Sequence, residues 1–426
     1  MKMLNKIIAF LIVLSILLFP DVRIGEGLPS IQFVDFLLPI IGFIVFKNWH
    51  KIVWRKFFTI ILVFGAYITL SIIVNSRITS VKDYFEIFKL IKFLLIVLFF
   101  SIVEINNYKK NIFYPIFGLL VLFNLCHYFN LFGVNYLIEH YYNGGVHIEL
   151  FGLDSLGVVS TKRMIGAIGN PNTNAIIFLF FASIFYPKKK KFSFELIIFF
   201  SAIFLFFLCQ SRTGFIALFL MIIFDLINKL YILKTFNKWS MAPVVLVVIA
   251  YSFSYLFSSN IIETERYVSN RKFEQIFNES KTLNNNTYIN SIFSGEITEV
   301  GSVKGRVEIW KHLFSMVKKK PIFGHGPNKE YFYSNKIYAE NEYVLYLWRY
   351  GVIGLLFYIL FYVYLFYKGI TFSRSKQGVL LSFLAIISIV TALMNAPLSS
   401  REIFVFLAVL IGLSFNSSNL IQDEKS

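Results

Sequence analysis

Apolar runs of the length needed to cross a membrane recur along this chain from end to end. The hydrocarbon core of a bilayer is about 30 Å thick, so a crossing helix needs roughly 20 apolar residues, or somewhat fewer with tilt and flanking side chains. Hydrophobic residues make up 57% of the 426 positions, above the about 45–50% of soluble domains. We therefore predict an all-α, polytopic membrane bundle of about twelve helices, near residues 4–19, 33–46, 56–74, 87–103, 112–132, 170–186, 192–208, 212–227, 241–257, 343–367, 377–396 and 402–415.

The first of these runs has an alternative interpretation as a cleaved signal peptide, because Lys2 and Lys6 precede its apolar part. It ends at Pro20-Asp21, however, without the small-residue pattern of a cleavage site. A retained first helix is the prediction.

Basic residues concentrate in alternate connections between the runs. Because lysine and arginine accumulate in cytoplasmic loops, this pattern places both termini in the cytoplasm. The net charge of +17 is then mainly a topology signal, with anionic membrane lipid as a partner of the loops. The basic residues form no continuous patch, so we predict no nucleic-acid binding. The loops concerned are 47–56, 109–110, 188–191, 229–238 and 368–376.

Two long segments, roughly 133–169 and 258–342, are then predicted on the extracytoplasmic side of the membrane. They are long enough to hold a functional site. Within the second, residues 278–304 are rich in Asn, Ser, Thr and Gly and predict a mobile flap. The chain is accordingly divided into transmembrane helices one to nine at 1–257, an extracytoplasmic loop at 258–342, and helices ten to twelve with a short cytoplasmic tail at 343–426.

Apolar residues recur at helical spacing between Gly305 and Lys320, and Pro321 ends the pattern. An amphipathic helix is predicted here, either lying on the outer membrane surface or packed on the bundle as a lid. The following Gly324-His325-Gly326 predicts a tight turn in which His325 has no necessary chemical role.

A set of short motifs carries a resemblance to a known family. Together they resemble the signature of the O-antigen ligase and Wzy polymerase superfamily. The resemblance implies a GT-C-like helix bundle that transfers glycan from undecaprenyl diphosphate at the outer face of the bacterial cytoplasmic membrane. The motifs are Ser211-Arg212-Thr213-Gly214, Gly305-Arg306, Trp310, Pro321, Gly324, Gly326, and the pair Glu340-Asn341 followed ten residues later by Gly351 and Gly354.

Arginines on the outer side suit a diphosphate, because the planar guanidinium matches phosphate oxygens bidentately and keeps its charge. Arg212 and Arg306 occupy the positions that resemble the family's two arginine motifs, and they are predicted to be catalytic. Arg163 and Arg401 are predicted to bind substrate, with lipid headgroups as the alternative. Arg349, inside the tenth span, is predicted to bind substrate because charges at membrane depth are costly; the alternative is that it snorkels to the interface and pairs with Glu342.

Ligases of the superfamily usually carry His-Asn where this chain has Glu340-Asn341. The histidine is thought to deprotonate the acceptor hydroxyl, and a carboxylate within reach can take the same proton. Glu340 is therefore the predicted base, although it could be a solvated loop acid and Glu342 competes for the role. Asn341, Trp310 and Glu342 are predicted to bind substrate.

The remaining polar features have simple alternatives. Asn170-Pro171-Asn172-Thr173-Asn174 resembles a recurrent polar helix entry in the superfamily, but could be only a helix cap. The loop aromatics could stack on sugars or anchor the chain at the interface. Cys126 and Cys209 are predicted to be buried apolar residues. No metal site and no cofactor are predicted, since the chain has no DxD and no spaced His or Cys set.

The prediction of function is a polysaccharide polymerase that moves a growing glycan from undecaprenyl diphosphate to a lipid-linked repeat unit. Loss of the family's histidine favours a polymerase over a ligase that attaches finished glycan to another acceptor. A chain-length regulator and a flippase of the same pathway are implied as partners. A flippase or transporter remains the alternative from another class. Apart from Arg349 and the pair Lys89 and Lys92, however, the ionisable residues sit at the ends of the spans, and the chain has no internal repeat. A sensor or scaffold would make single arginines dispensable.

Overall fold

In the computed structural model, the chain forms an all-helical bundle, and it is described over residues 2–20, 22, 31–52, 55–76, 80–104, 107–129, 131–134, 163–187, 193–260, 303–334, 339–395 and 397–416. Within these ranges no strand forms beyond one bridge between Val22 and Ile31. The α-helices in the described ranges are α1 (Lys2–Leu18), α2 (Phe33–Lys47), α3 (Arg55–Val74), α4 (Phe85–Ile102), α5 (Tyr114–Tyr128), α6 (Pro171–Ile184), α7 (Phe194–Leu208), α8 (Arg212–Ile227), α9 (Ala242–Asn260), α10 (Val303–Val317), α11 (Lys329–Ser334), α12 (Glu342–Thr371), α13 (Lys376–Thr391) and α14 (Arg401–Ser414).

Each of the twelve apolar runs coincides with one of these helices, so the all-α prediction is confirmed. Five helices in the described ranges combine the length and the apolar character of a membrane crossing. They are Lys56–Val74, Lys109–Tyr128, Arg212–Ile232, Trp239–Leu256 and Glu342–Thr371. Shorter apolar helices accompany them, and the number of twelve crossings stays a prediction.

Helices that are apolar on every side form the centre of the bundle, as expected for fully enclosed helices. In α14 every side chain from Ile403 to Ser414 is buried. Gly412 of α14 lies so close to α4 that an added Cβ would come within 2.7 Å of the Val97 carbonyl oxygen. The first apolar run is also part of this core, since Ala9 and Ile12 of α1 are fully buried.

The segments predicted to lie outside meet at one end of the bundle, called here the outer end. There the Ser71 hydroxyl donates to the Phe323 carbonyl at 2.9 Å. At the opposite end, Lys109 pairs with Glu195 at 3.0 Å, and the Asn416 side chain donates to the Val103 carbonyl at 2.8 Å. The basic loops and the segments predicted to be extracytoplasmic thus meet at opposite ends of the bundle. The side of the membrane that each end faces stays a prediction.

Helix α12 is interrupted at Gly351, whose backbone has φ 66° and ψ −167°. The turn at 321–326, called the docked turn, occupies the interruption. Val352 donates its amide proton to the Pro321 carbonyl at 2.8 Å, and His325 donates to the Trp348 carbonyl at 3.0 Å. The break separates Glu342–Tyr350 from the long apolar half of α12, because the turn takes over hydrogen bonds that a continuous helix would make internally.

A row of polar side chains on α3 holds the docked turn from the other side. Tyr67 and Ser71 of α3, and Asn75 directly after its last residue, are spaced four residues apart and therefore lie along one face. The Tyr67 hydroxyl lies 2.7 Å from the Ile322 carbonyl oxygen, and the Asn75 amide lies 3.3 Å from that of Gly324. The α3 row fixes the loop that precedes α12 to the transmembrane bundle.

Candidate functional site

The amphipathic helix predicted after Gly305 is α10, and its apolar face packs on the protein. Leu313 and Val317 are buried in one cluster with Phe332 and Trp348. These contacts match the lid interpretation, since the face that would enter a lipid surface is covered by the start of α12. The packing fixes the position of every polar side chain that α10 presents to the outer end.

Trp310 of α10 ties this helix to the segment that carries the predicted base. Its indole N–H donates to the Ala339 carbonyl at 2.6 Å, directly before Glu340. The bond occupies the only polar group of the side chain. This contact gives Trp310 a positioning role, while its predicted contact with substrate stays a prediction.

Glu340 and Arg306, predicted separately from two distant motifs, form an ion pair between Glu340 Oε2 and Arg306 Nη2. Arg306 is 21% exposed and Glu340 is 46% exposed, so the pair faces open space on its acidic side. Glu340 has φ 44°, in the left-handed region that is uncommon for residues other than glycine. The surrounding contacts therefore hold the backbone of Glu340 in a conformation that costs free energy, as is frequent at functional sites.

Arg163 lies beside this pair and is anchored by the protein. Its Nε donates to the Cys209 carbonyl at 3.1 Å, and its Nη2 donates to Asn172 Oδ1 at 2.9 Å. Burial lowers the pKa of Arg163, and the positive charges of Arg212 and Arg306 lower it further. That coupling places the charges of Arg212 and Arg306 within electrostatic reach of Arg163.

Arg212 begins α8 at the outer end and is exposed to solvent. Ser211 caps the helix by accepting a hydrogen bond from Gly214 at 3.3 Å, and Thr213 accepts one from Asn395 at 3.2 Å. Among the described residues, Arg212 itself makes no hydrogen bond or ion pair. Its guanidinium fork is therefore free to take an anion.

The three arginines and Glu340 constitute what we call the arginine site. Arg306 pairs with Glu340, and the charges of Arg212 and Arg306 act on Arg163, so positive charge exceeds negative charge among these four residues near the starts of α8 and α6. The positive ends of these two helix dipoles add to it. The arrangement is suited to a ligand with at least two negative charges, and a diphosphate carries them on oxygens that match guanidinium forks.

The Asn170–Asn174 motif proves to be a helix cap with two added contacts. Asn170 Oδ1 accepts hydrogen bonds from the amides of Asn172 and Thr173 at 2.9 and 3.2 Å. The Asn172 side chain holds Arg163, and the buried Asn174 donates to Asn124 at 2.8 Å. The motif therefore positions an arginine of the site in addition to starting α6.

Asn341 and Glu342 make contacts that hold the backbone. Asn341 caps α12 by accepting a hydrogen bond from the Val344 amide at 3.0 Å, and its Nδ2 donates to the Leu393 carbonyl at 3.0 Å. Glu342 is fully buried and accepts a hydrogen bond from the Leu398 amide at 2.8 Å. Both residues thus tie α12 to the turn between α13 and α14, called the 392–400 turn.

Replacing Glu342 by Ala is expected to destabilise the protein by about 2–4 kcal/mol, because the Leu398 amide and the Ser399 hydroxyl would lose a buried acceptor. Thermal unfolding of the detergent-purified chain measures this loss. The same substitution at the exposed Glu308 of α10 is the matched control and is expected to leave unfolding unchanged. Equal stability of the two variants would show that Glu342 does not hold the turn.

Arg349 differs from the sequence expectation in its surroundings. It lies before the break at Gly351 instead of within a continuous span, and its guanidinium stands 5.4 Å from the centre of the Phe332 ring. Its charge interacts with Glu86 of α4, whereas Glu342 is directed at the 392–400 turn. Because α4 and α12 lie far apart in the chain, Glu86 could not be predicted from the sequence as a neighbour of Arg349. Arg401 is half-buried at the start of α14.

His325 occupies a structural position within the docked turn. Its ring stacks on Trp348 with centroids 4.9 Å apart, and its Nε2 donates to the Met316 carbonyl at 3.0 Å. Burial lowers the pKa of His325, with smaller effects from Lys320 and Lys319. Because a carbonyl can only accept, Nε2 carries a proton and is engaged inside the protein.

The prediction for the two cysteines is confirmed in part. Both are free thiols; Cys209 is buried as predicted, whereas Cys126 is half-buried. No group of three His, Cys, Asp or Glu side chains in these ranges is arranged to hold a metal ion. The pair Glu263 and Glu265 lies outside the described residues, as do most of the two long outer segments.

Residues 196–359 match the family model described as O-antigen ligase. This segment is similar to the O-antigen ligase family. The match confirms the predicted resemblance to the O-antigen ligase and Wzy polymerase superfamily over these residues, and together with the apolar helices it supports a multi-pass membrane protein. No curated protein matches the chain.

The matched residues 196–359 run from α7 into α12. They contain Arg212, Arg306, Glu340 and the break at Gly351. Arg163 and Arg401 lie outside this segment. The arginine site therefore combines residues of the matched segment with Arg163, which lies before α6 and outside that segment.

Sequence reasoning missed several residues that build the site. Met394 and Asn395 of the 392–400 turn contact Arg306 and Thr213, at 3.9 and 3.2 Å respectively. Nothing in that turn's composition marks it. The α3 row, in contrast, had a detectable signal, since three polar side chains spaced four residues apart on an apolar helix predict a buried polar partner.

Proposed function

We propose that this protein is a polysaccharide polymerase that transfers a growing glycan from undecaprenyl diphosphate to a lipid-linked oligosaccharide repeat. The observation that carries the proposal is the ion pair between Glu340 and Arg306, with Arg212 and Arg163 in electrostatic reach. This arrangement supports a role for Glu340 as a base beside phosphate-binding arginines. The family match supports glycan transfer in general, and the assignment as a polymerase is our inference.

The reaction joins two substrates at this pair. The acceptor hydroxyl oxygen attacks the anomeric carbon of the donor while the bond from that carbon to the diphosphate oxygen breaks. Glu340 takes the hydroxyl proton, and the bonding electrons of the broken bond remain on the diphosphate. Arg212 and Arg306 stabilise the charge that develops on the leaving group, as preorganised donors do in other transfer enzymes.

The ion pair also links donor binding to release of the base. In the ligand-free arrangement, Arg306 occupies an oxygen of the Glu340 carboxylate. When Arg306 turns its donors to phosphate oxygens, that oxygen becomes free to accept a proton from the acceptor hydroxyl. The donor diphosphate thereby prepares the base, so that the carboxylate is released when both substrates can react.

The proposed reaction needs no nucleotide, because the diphosphate already activates the donor, and the arginines take the role that a metal ion has in other transferases. We further propose that the protein lies in the bacterial cytoplasmic membrane with both termini in the cytoplasm and the arginine site on the outer face. A flippase would deliver the lipid-linked repeat to this face, and a chain-length regulator would act on the product.

Transfer of a finished glycan to a different acceptor is the second candidate, because the matching family is described as O-antigen ligase. The two functions share the donor and the arginine site. They differ in the acceptor, which is a lipid-linked repeat for the polymerase. Purified protein supplied with one lipid-linked repeat as its only glycan substrate forms a ladder only if it polymerises.

Replacing Arg306 by Ala is expected to lower the transfer rate about 10²–10³-fold, because a preorganised donor to the leaving group is lost. Arg306→Lys should recover part of the rate, since it restores the charge without the fork. The assay is the surface glycan of a strain lacking its own copy, which should collapse to single repeats while the protein remains in the membrane.

The matched control for this test is Lys311→Ala, which removes an exposed cation from the same helix. It is expected to leave the ladder unchanged. If Arg306→Ala retained normal ladder length, the arginine site would not hold the donor. If Lys311→Ala shortened the ladder equally, general charge at the outer end would be responsible.

A further inference from the structure

An open apolar crevice lies between α3, α4, α12 and α14, outside the arginine site, and its enclosed part has a volume of about 40 Å³. Its wall is formed by aromatic and aliphatic side chains, including Phe64, Leu90, Phe93, Phe357 and Phe361. Phe93 is buried, whereas Phe64, Leu90, Phe357 and Phe361 are only half-buried, so the crevice is not sealed by packing. A wall of this composition suits an apolar chain.

The mouth of the crevice is shared with the arginine site through the 392–400 turn. Leu398 lines the crevice, and Met394 of the same turn contacts Arg306. Four residues of chain span at most about 14 Å, so the two regions are close but separate. A single lipid-linked glycan can therefore have its chain in the crevice and its far sugar at the arginine site.

Charged side chains stand at this mouth. The Lys89 ammonium lies 5.6 Å from the centre of the Phe404 ring, which lines the crevice, and 3.6 Å from a Glu86 oxygen. Lys329 pairs with the other oxygen of Glu86 at 2.9 Å, and the charge of Arg349 also acts on Glu86. Lys89, Lys329 and Arg349 thus surround Glu86, and Lys89 also interacts with the charge of Glu342.

The other acids near the mouth are engaged with backbone amides. Asp83 accepts a hydrogen bond from the amide of Lys329 at 2.8 Å, and Glu342 accepts one from Leu398. Arg349 makes no hydrogen bond or ion pair within the described ranges, and its buried Nε has no partner. A buried donor without a partner is costly, which points to an anionic group that completes this region.

We propose that the crevice holds the polyprenyl chain of the acceptor lipid, with its diphosphate beside Lys89 and Arg349. This inference rests on the proposed polymerase function. The donor diphosphate must lie at Arg212 and Arg306, next to the bond that breaks. The acceptor presents only its far hydroxyl to Glu340, so its own diphosphate must lie one oligosaccharide away, and the mouth of the crevice supplies a cationic position at such a distance.

The test uses the full chain in liposomes with two blocked substrates, which separate donor from acceptor. The donor carries a capped terminal hydroxyl, and in the acceptor a methylene replaces the oxygen between the anomeric carbon and the diphosphate, so that this bond cannot break. Acceptors with a long and a short prenyl chain are compared. The wild type is expected to have a KM at least roughly tenfold lower for the long chain, because each buried methylene contributes to binding.

Leu90→Trp fills the crevice and is expected to bring the ratio of the two acceptor KM values close to one. The matched control, Ile91→Trp, places the same ring on the exposed face of α4 and should keep the wild-type ratio. Lys89→Gln should raise the acceptor KM roughly tenfold, the effect of one lost charge-assisted contact, and leave the donor KM unchanged. Because the readout is a ratio, a partly misfolded variant does not imitate the result.

A binding measurement distinguishes this inference from the proposed function. An acceptor with a diazirine in its last prenyl units is expected to label the walls of the crevice and to be displaced by excess unlabelled acceptor. Labelling without any transfer would refute the polymerase and support the crevice. Transfer with labels elsewhere, labels that a phospholipid displaces equally well, or a Lys89→Gln effect on the donor alone would overturn the assignment.

Discussion

Glu340→Gln is expected to reduce glycan transfer by about 10²–10⁴-fold, the range for loss of a positioned general base. The amide is isosteric and still accepts a hydrogen bond from Arg306, but it cannot take the proton of the acceptor hydroxyl. Single-turnover transfer by the purified protein measures the rate. Donor binding should persist, because the arginines remain in place.

Two further variants make this prediction specific. Glu308→Gln, an identical change at an exposed position two residues after Arg306, should leave the rate unchanged. Glu340→His places at this position the residue common among the family's ligases, and it should retain part of the rate above about pH 6.5. A histidine base must be neutral, so the rate of that variant should fall as the pH drops through that value. A Glu340→Gln variant with full activity would assign the base to another group.

Gly351→Ala is expected to abolish transfer although the residue touches no substrate. An added Cβ would lie 2.0 Å from the Ile322 carbonyl oxygen, and the backbone has φ 66°. The docked turn would have to move, and α10 with Arg306 would move with it. A displacement of about 1 Å can lower a rate about 10²-fold, and the strained backbone adds roughly 1–3 kcal/mol of destabilisation.

Gly42→Ala provides the control for this substitution. Gly42 lies within α2, and an added Cβ there has no atom within 4 Å. Its variant should keep normal stability and transfer. Thermal unfolding and transfer rate are measured for both variants in the same detergent. Unchanged activity of Gly351→Ala would mean that the break in α12 does not position the arginine site.

The sequence was sufficient to predict the helices, because each apolar run is a local feature with a length set by the bilayer. It also placed Arg306 and Glu340 in one site, since both belong to motifs that resemble one family. Their direct ion pair agrees with that prediction. The roles of these residues in catalysis are not tested by the fold and stay proposals.

The neighbours of each site residue could not be predicted in the same way. Glu342 bonds to Leu398 and Arg349 acts on Glu86, and both contacts join positions far apart in the chain. The break at Gly351 was hidden because its cause is a turn that arrives from residues 321–326. Hydropathy is a sum over neighbouring residues, whereas these contacts depend on how helices pack.

The most direct test of the account is transfer by purified protein in liposomes that contain one synthetic undecaprenyl-diphosphate repeat and no other glycan. We expect a ladder of lipid-linked products that lengthens with time in the wild type and is lost in Arg306→Ala and Glu340→Gln. A wild type that binds this lipid and never extends it, but transfers its glycan once a different acceptor is added, would contradict the assignment as a polymerase.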